Sequence, residues 1–217
     1  MFKAVVFDLD GTLTDTLESL KKSGNNTLRH FGLEERRLDE YKYFAGNGPD
    51  ELVRRILRAS GDTELKYFDE AYKFYNDEFK KDSMYMVKPY EGILELVEIL
   101  KTMGLKLAVL TNKNNERAKN VIESVFEEDT FEVVMGSQEG LKKKPDPEGA
   151  FKICEILDVK PEECLYLGDT NVDMETANNA GMYPVGVLWG FRQRDELMES
   201  GAKTIIERPM DLVDELL

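Results

Sequence analysis

Asp8 and Asp10 stand two residues apart where the apolar run Ala4–Phe7 ends, and Gly11 and Thr12 follow them. Side chains two apart on an extended segment point the same way, so both carboxylates emerge together. Two carboxylates this close repel. Either they share a cation or one keeps a proton, and both states are chemically useful. A second acidic pair, Asp169 and Asp173, follows the run 165–167 through Gly168, and Thr111 with Asn112 follows the run 107–110. Grouped carboxylates suit a hard cation with oxygen ligands, and Mg2+ takes one or two of them together with waters and phosphate oxygens. No His or Cys cluster argues for zinc. The single histidine, His30, sits beside Phe31 in a helix-period stretch and reads as a surface or partly packed residue. Cys154 and Cys164 are spaced too widely for a C-x-x-C pair and read as small buried apolar residues of a reducing compartment. An acidic turn, or an N-cap with its helix-dipole partner, accounts for either acidic pair taken alone. Recurrence of polar groups at three run ends points to one shared edge.

Residues placed this way need strands that end together. Continuous apolar runs of strand length occur at 4–7, 107–110, 133–135, 165–167 and 185–189, as in a parallel sheet buried on both faces. Helix-period segments alternate with them from about Tyr90 onward: Ile93, Leu94, Leu96, Val97 and Leu100, closed by Gly104, then Ala150, Phe151, Ile153, Cys154, Ile156 and Leu157. The pattern predicts an α/β fold with a Rossmann-like, doubly wound parallel sheet, in which ligands bind outside the carboxyl ends of the strands.

The first strand is separated from this alternation by a stretch far longer than a usual strand-to-helix connection. It carries Leu17, Leu20, Leu28 and Phe31, then Leu52, Val53, Ile56 and Leu57, then Tyr67, Phe68, Ala71, Tyr72, Phe74, Tyr75 and Phe79 at helical spacing. A small α-helical insertion over 15–87 is expected, with the α/β core made of 1–14 and 88–217. Its tyrosines are read as packing between helices. The turn-rich segment Gly46-Asn47-Gly48-Pro49-Asp50 precedes a helix over 51–59, with Pro49 or Asp50 in its first turn. Backbone N–H groups there suit an anionic substrate group, which makes Gly46 and Asn47 candidate substrate-binding residues beside the plainer reading of an interhelical turn. Arg54, Arg55 and Arg58 read as one solvated face.

With 217 residues the chain has room for one domain, or one plus an insertion. Its 29 Lys+Arg against 43 Asp+Glu give a net charge of -14, which repels polyanions and argues against nucleic-acid and anionic-membrane partners. No apolar run nears the roughly 18 residues of a membrane span, and residues 1–7 show no basic leader region, so a cytoplasmic location is expected.

In this order and context, Asp8-Leu9-Asp10-Gly11-Thr12-Leu13, Thr111-Asn112, Lys144-Pro145-Asp146-Pro147 and Gly168-Asp169-Thr170-Asn171-Val172-Asp173 resemble the four motifs of the haloacid dehalogenase superfamily. The resemblance covers essentially the whole chain, and the insertion is similar to the family's helical cap. Trp189-Gly190-Phe191, with Glu196-Leu197 and Gly201-Ala202, is similar to phosphoglycolate-phosphatase-like members.

What the resemblance implies is a Mg2+-dependent phosphatase acting on a small phosphorylated metabolite through an aspartyl-phosphate, phosphoglycolate being the best single candidate. Asp8 is then the nucleophile, and Asp10 the acid and base for the leaving oxygen and the attacking water. Mg2+ is held by Asp8, the Asp10 backbone carbonyl and Asp169, with Asp173 ordering a metal-bound water or Lys144. Thr111, Asn112 and Lys144 bind the phosphoryl group, and Thr111 and Lys144 stabilise its developing charge. Lys142 and Lys143 keep a solvated role. The cap loop of such enzymes closes over the site and leaves a small volume. Asp10 favours phosphate esters over carbon–halogen or phosphonate substrates. A hexose-phosphate mutase usually carries a His in the first cap helix, where this chain has Leu17, Glu18, Leu20 and Lys21. A pyrophosphatase, nucleotidase, sugar-phosphate phosphatase or phosphoglucomutase stays open as an alternative, as does a non-catalytic phosphate-binding module. A monomer or small homo-oligomer is expected.

Overall fold

The computed structural model describes residues 2–217. Its elements run β1 (Ala4–Phe7), β2 (Thr14–Asp15), α1 (Leu17–His30), α2 (Leu38–Phe44), α3 (Pro49–Ala59), α4 (Phe68–Asp82), β3 (Lys88–Pro89), α5 (Ile93–Thr102), β4 (Lys106–Asn114) and α6 (Asn115–Val125). They continue through β5 (Val133–Ser137), α7 (Glu148–Leu157), a 3-10 turn (Pro161–Glu163), β6 (Cys164–Gly168), α8 (Asn171–Ala180), β7 (Tyr183–Val187), α9 (Arg194–Glu199), β8 (Thr204–Ile206) and α10 (Asp211–Leu216). The chain divides into two compact units, one formed by residues up to Asp15 with Pro89–Leu217, the other by Thr16–Lys88.

In the first unit six strands form one sheet in the order β5-β4-β1-β6-β7-β8, every observed pairing parallel. β1 lies centrally, and all four of its residues are fully buried. The chain leaves β1 for β4 and β5 on one side, then returns to β6, β7 and β8 on the other. The order therefore reverses at β1, the position where open α/β sheets bind ligands. Register brings the strand ends level, with Phe7 opposite Val109 on β4 and Leu167 on β6. Ala4, Val6, Ala108, Leu110, Cys164 and Tyr166 share one core cluster with Ala150, Ile153, Leu157 and Ala177 of α7 and α8. The Asp8 N–H continues the ladder by donating to the Leu167 carbonyl at 2.9 Å.

Two sequence expectations are corrected here. The strand expected over 185–189 is Tyr183–Val187: Leu188 still donates its N–H to the Ile206 carbonyl at 3.0 Å, and the chain turns at Leu188 and Trp189. A sixth strand, β8, was not foreseen; its Thr-Ile-Ile is too short to show a period.

The second unit is helical, α1 to α4. α1 presents a polar buried face, with Ser19, Ser23, Gly24, Asn25 and Thr27 beside Leu17, Leu20 and Leu28. Gly24 lets the ring of Tyr41 in α2 close against the helix, since a Cβ there would run into that ring. The Tyr41 hydroxyl donates to Asn25 Oδ1 at 2.9 Å, and Asn25 Nδ2 donates to the Arg36 carbonyl at 2.9 Å. Lys22 pairs with Asp82, and Asn26 donates to Glu78, tying α1 to α4. Of the tyrosines assigned to packing, Tyr41 and Tyr75 are buried, whereas Tyr43, Tyr67 and Tyr85 are exposed. His30 is exposed and stacks on Phe74. Among the described residues no helix is long and apolar enough to cross a membrane.

Candidate active site

The central feature at the carboxyl edge of the sheet is Lys144, whose side chain is 3% exposed. Its ammonium lies 2.9 Å from Asp8 Oδ1, 2.6 Å from Asp173 Oδ1, 3.0 Å from the Leu110 carbonyl and 3.0 Å from the Tyr166 hydroxyl. Elements distant in sequence converge on it: the end of β1, the end of β4, the start of α8, and Tyr166 of β6. An ammonium this deep is tolerated only where anions surround it. Burial works to lower its pKa, and Asp173 and Asp8 override that and hold it well above the ordinary lysine value.

Lys144 is itself clamped through its backbone. The Asn112 side chain accepts from the Lys144 N–H at 2.9 Å and donates to the Lys144 carbonyl at 3.1 Å. Asn112, expected to bind substrate, has both ends of its amide engaged in this clamp, so its side chain positions Lys144. Lys142 and Lys143 are exposed.

Asp169 is held from several directions. Thr12 donates its hydroxyl to Oδ1 at 3.0 Å, and the Phe191 N–H donates to Oδ2 at 2.8 Å. Gly11, with φ at +94°, and Gly190 lie so close that a Cβ on either would strike the Asp169 side chain. The Trp189 indole N–H donates to the Thr12 carbonyl at 2.9 Å, fastening the 189–191 loop to the turn after β1. Asp173 Oδ2 accepts from the Thr170 N–H and hydroxyl, forming a helix cap, while Oδ1 serves Lys144. Asp173 thus combines a capping contact, as the third residue of α8 accepting from the N-cap Thr170, with a place in the site; its contacts with Lys144 and Thr170 fit the ordering role better than that of a direct ligand.

Asp8, Asp169 and Asp173 offer carboxylate oxygens lying within 4.8 Å of one another, all buried. Burial pushes Asp8 up to about 7, with Asp173 and Asp10 adding to the rise against the pull of Lys144. Burial, with repulsion from Asp173 and Asp8, likewise raises Asp169 well above the carboxylate range. Carboxylates in this condition take up either protons or a cation, and an all-oxygen donor set matches a hard divalent ion such as Mg2+.

Asp10 is more open, and Lys113 Nζ meets both its oxygens at 2.8 and 3.0 Å. Lys113 was not anticipated from sequence. It follows Thr111 and Asn112 directly, but the β4–β5 pairing shifts register between Leu110 and Asn114, so simple alternation does not predict where it points. Thr111 is buried, and its hydroxyl oxygen accepts from the Lys113 N–H at 3.2 Å. Tyr166 and Thr12 were also missed, the first because it read as one more strand residue, the second because its partner is remote in sequence.

Gly46 and Asn47 belong to the helical unit, whereas the other candidate residues belong to the α/β unit. Asn47 Oδ1 accepts from Arg55 at 2.7 Å, and Arg55 also donates to the carbonyls of Tyr43 and Phe44. Arg55 is therefore a fastener of this loop, and Arg54 packs its guanidinium 4.0 Å from the Phe68 ring centroid. The expected solvated arginine face holds for Arg58, which is exposed.

Residues 5–187 match the family model of haloacid dehalogenase-like hydrolases. The chain is 31% identical over 211 residues to the phosphoglycolate phosphatase of Aquifex aeolicus, covering 97% of this chain and 95% of that protein. It is 34% identical over 194 residues to that of Rhodobacter capsulatus, covering 89% and 87%. A crystal structure from Lactobacillus delbrueckii subsp. bulgaricus superposes with a TM-score of 0.92 at 28% identity, covering 100% of this chain and 98% of that one.

Proposed function

The chain belongs to the haloacid dehalogenase-like hydrolases and is a phosphatase, and from that premise we propose that it hydrolyses phosphoglycolate with Mg2+ as cofactor and Asp8 as nucleophile. The observation that carries this reading is the Lys144 knot: a buried ammonium bonded to Asp8 and Asp173, beside Asp169, at the carboxyl end of β1. The choice of phosphoglycolate is supported by the curated relatives that match over nearly the full chain.

The donors fit the ion. Asp8 and Asp169 would hold it with the Asp10 backbone carbonyl, and Asp173 would order the surrounding shell. Bound there, Mg2+ supplies positive charge to the phosphoryl oxygens.

The protein's own groups carry the steps. Asp8 attacks phosphorus with one carboxylate oxygen, and the bond from phosphorus to the ester oxygen breaks. Asp10 gives its proton to the departing alkoxide. It then accepts a proton from the water that cleaves the aspartyl-phosphate, which returns Asp8 and releases inorganic phosphate. Lys144 and Thr111 stabilise charge on the transferring group, and Asn112 keeps Lys144 in place. Buried free thiols at Cys154 and Cys164 support a cytoplasmic, reducing location.

Phosphate release across phosphoglycolate, other small esters, a hexose phosphate, pyrophosphate and nucleotides, with and without Mg2+, tests the reading. Turnover concentrated on phosphoglycolate and abolished by chelation is expected. Equal turnover of the whole panel, or indifference to chelation, would overturn it.

A further inference from the structure

We propose that Lys113 is a specificity-determining residue: its ammonium, seated on Asp10, binds a carboxylate carried one carbon away from the ester oxygen of the substrate. The assignment rests on the phosphatase reading, in which Asp10 faces that oxygen. A general acid works within about 2.6–3.2 Å of the atom it protonates. Lys113 Nζ lies 2.8 and 3.0 Å from the two Asp10 oxygens. The ammonium is therefore no more than two hydrogen bonds, about 6 Å, from the ester oxygen. In an ester of a two-carbon hydroxy acid the carboxylate oxygens lie about 3–4 Å from the ester oxygen by covalent geometry alone. The leaving group thus carries its second anion into the reach of this cation.

The chemistry of the pair supports a role beyond holding Asp10. The Lys113 side chain is 4% exposed and that of Asp10 18%, so the cation is the more deeply withdrawn partner. Withdrawing an ammonium from water is costly, and a neutral donor such as Asn or Gln would avoid that cost if orientation were the only task. The flexible four-carbon stem and three donors of Lys allow it to keep one bond to Asp10 while turning another toward an arriving carboxylate. Position in the fold agrees: Lys113 follows the Thr111-Asn112 pair on β4, and the register shift between Leu110 and Asn114 falls where it lies.

The test compares kcat/KM for phosphoglycolate and for ethyl phosphate, which has the same carbon count and no carboxylate, using the full chain with Mg2+. Wild type is expected to prefer phosphoglycolate by about tenfold to a hundredfold, the range of a charged hydrogen bond. Lys113→Met is expected to bring that ratio close to unity and to weaken inhibition by glycolate, while Lys113→Arg keeps a clear preference. Melting midpoints verify the fold of each variant. If Lys113→Met does not fold, the wild-type ratio and inhibition by glycolate compared with ethanol decide the matter without it. Equal loss on both esters with the ratio intact would overturn the proposal and leave Lys113 as a positioning residue for Asp10. Absence of preference in the wild type would overturn it as well. Phosphate release from neither ester would overturn the phosphatase reading and this assignment with it, a result distinct from release with an unchanged ratio.

Discussion

Lys144 shows how a single side chain can couple several acidic and polar groups. Its ammonium holds Asp8 and Asp173 in one knot, so removing it exposes buried carboxylates to one another as well as removing the donor proposed for the phosphoryl group. Lys144→Met is expected to lower kcat/KM by at least about a hundredfold, as for loss of one preorganised donor, and steady-state kinetics check it. Thr12 makes a quieter contribution. Its hydroxyl fixes one oxygen of Asp169, so Thr12→Val is expected to weaken Mg2+ binding by about tenfold to a hundredfold, measured by calorimetry. Unchanged affinity would count against Asp169 as a ligand. The acids Asp8, Asp10, Asp169 and Asp173 were legible from sequence because each follows an apolar run that a parallel sheet must bury. Lys113, Tyr166 and Thr12 were not, because their roles depend on a register shift, on one hydroxyl within an apolar strand, and on a contact between remote segments.

Element packing explains both what periodicity revealed and where it stopped. Apolar runs marked β1, β4, β5 and β6, but β8 is only Thr204–Ile206 and α2 only Leu38–Phe44, too short to display a period. The buried face of α1 was only partly visible for another reason: Leu17, Leu20 and Leu28 mark it, but Ser19, Ser23, Gly24, Asn25 and Thr27 on the same face do not register in a hydrophobic pattern. Gly24 gives that face a test. Gly→Ala inside a helix ordinarily stabilises by about 1 kcal/mol through backbone entropy. Here the added methyl meets the Tyr41 ring, and overpacking of this kind costs about 1–3 kcal/mol. Gly24→Ala is therefore expected to lower the melting midpoint by several degrees, and a rise would contradict the packing of α1 against α2.

The protein as a whole carries a net charge of -14, and three buried acids, Asp8, Asp169 and Asp173, lie together at the carboxyl end of the sheet. Their protonation links folding to pH. In the unfolded chain Asp8 has lost its proton by about pH 5, whereas in the metal-free fold it keeps the proton to about 7. The folded state then binds more protons across that window, so stability falls as pH rises through it, and Asp169 acts in the same direction. In chelator the melting midpoint is expected to drop by at least about 3 °C between pH 5 and pH 7.5, and saturating Mg2+ is expected to remove the drop. A midpoint that is flat or rises in chelator would contradict this electrostatic picture.

The central claim is that Asp8 becomes phosphorylated during turnover. Rapid acid quench of the enzyme with phosphoglycolate and Mg2+, followed by peptide mass spectrometry, tests it most directly. The expected result is a phosphoryl group on the Asp8 side chain that hydroxylamine removes, and that is missing in Asp8→Asn. Substrate turnover with no adduct on Asp8, or undiminished turnover by Asp8→Asn, would contradict the account.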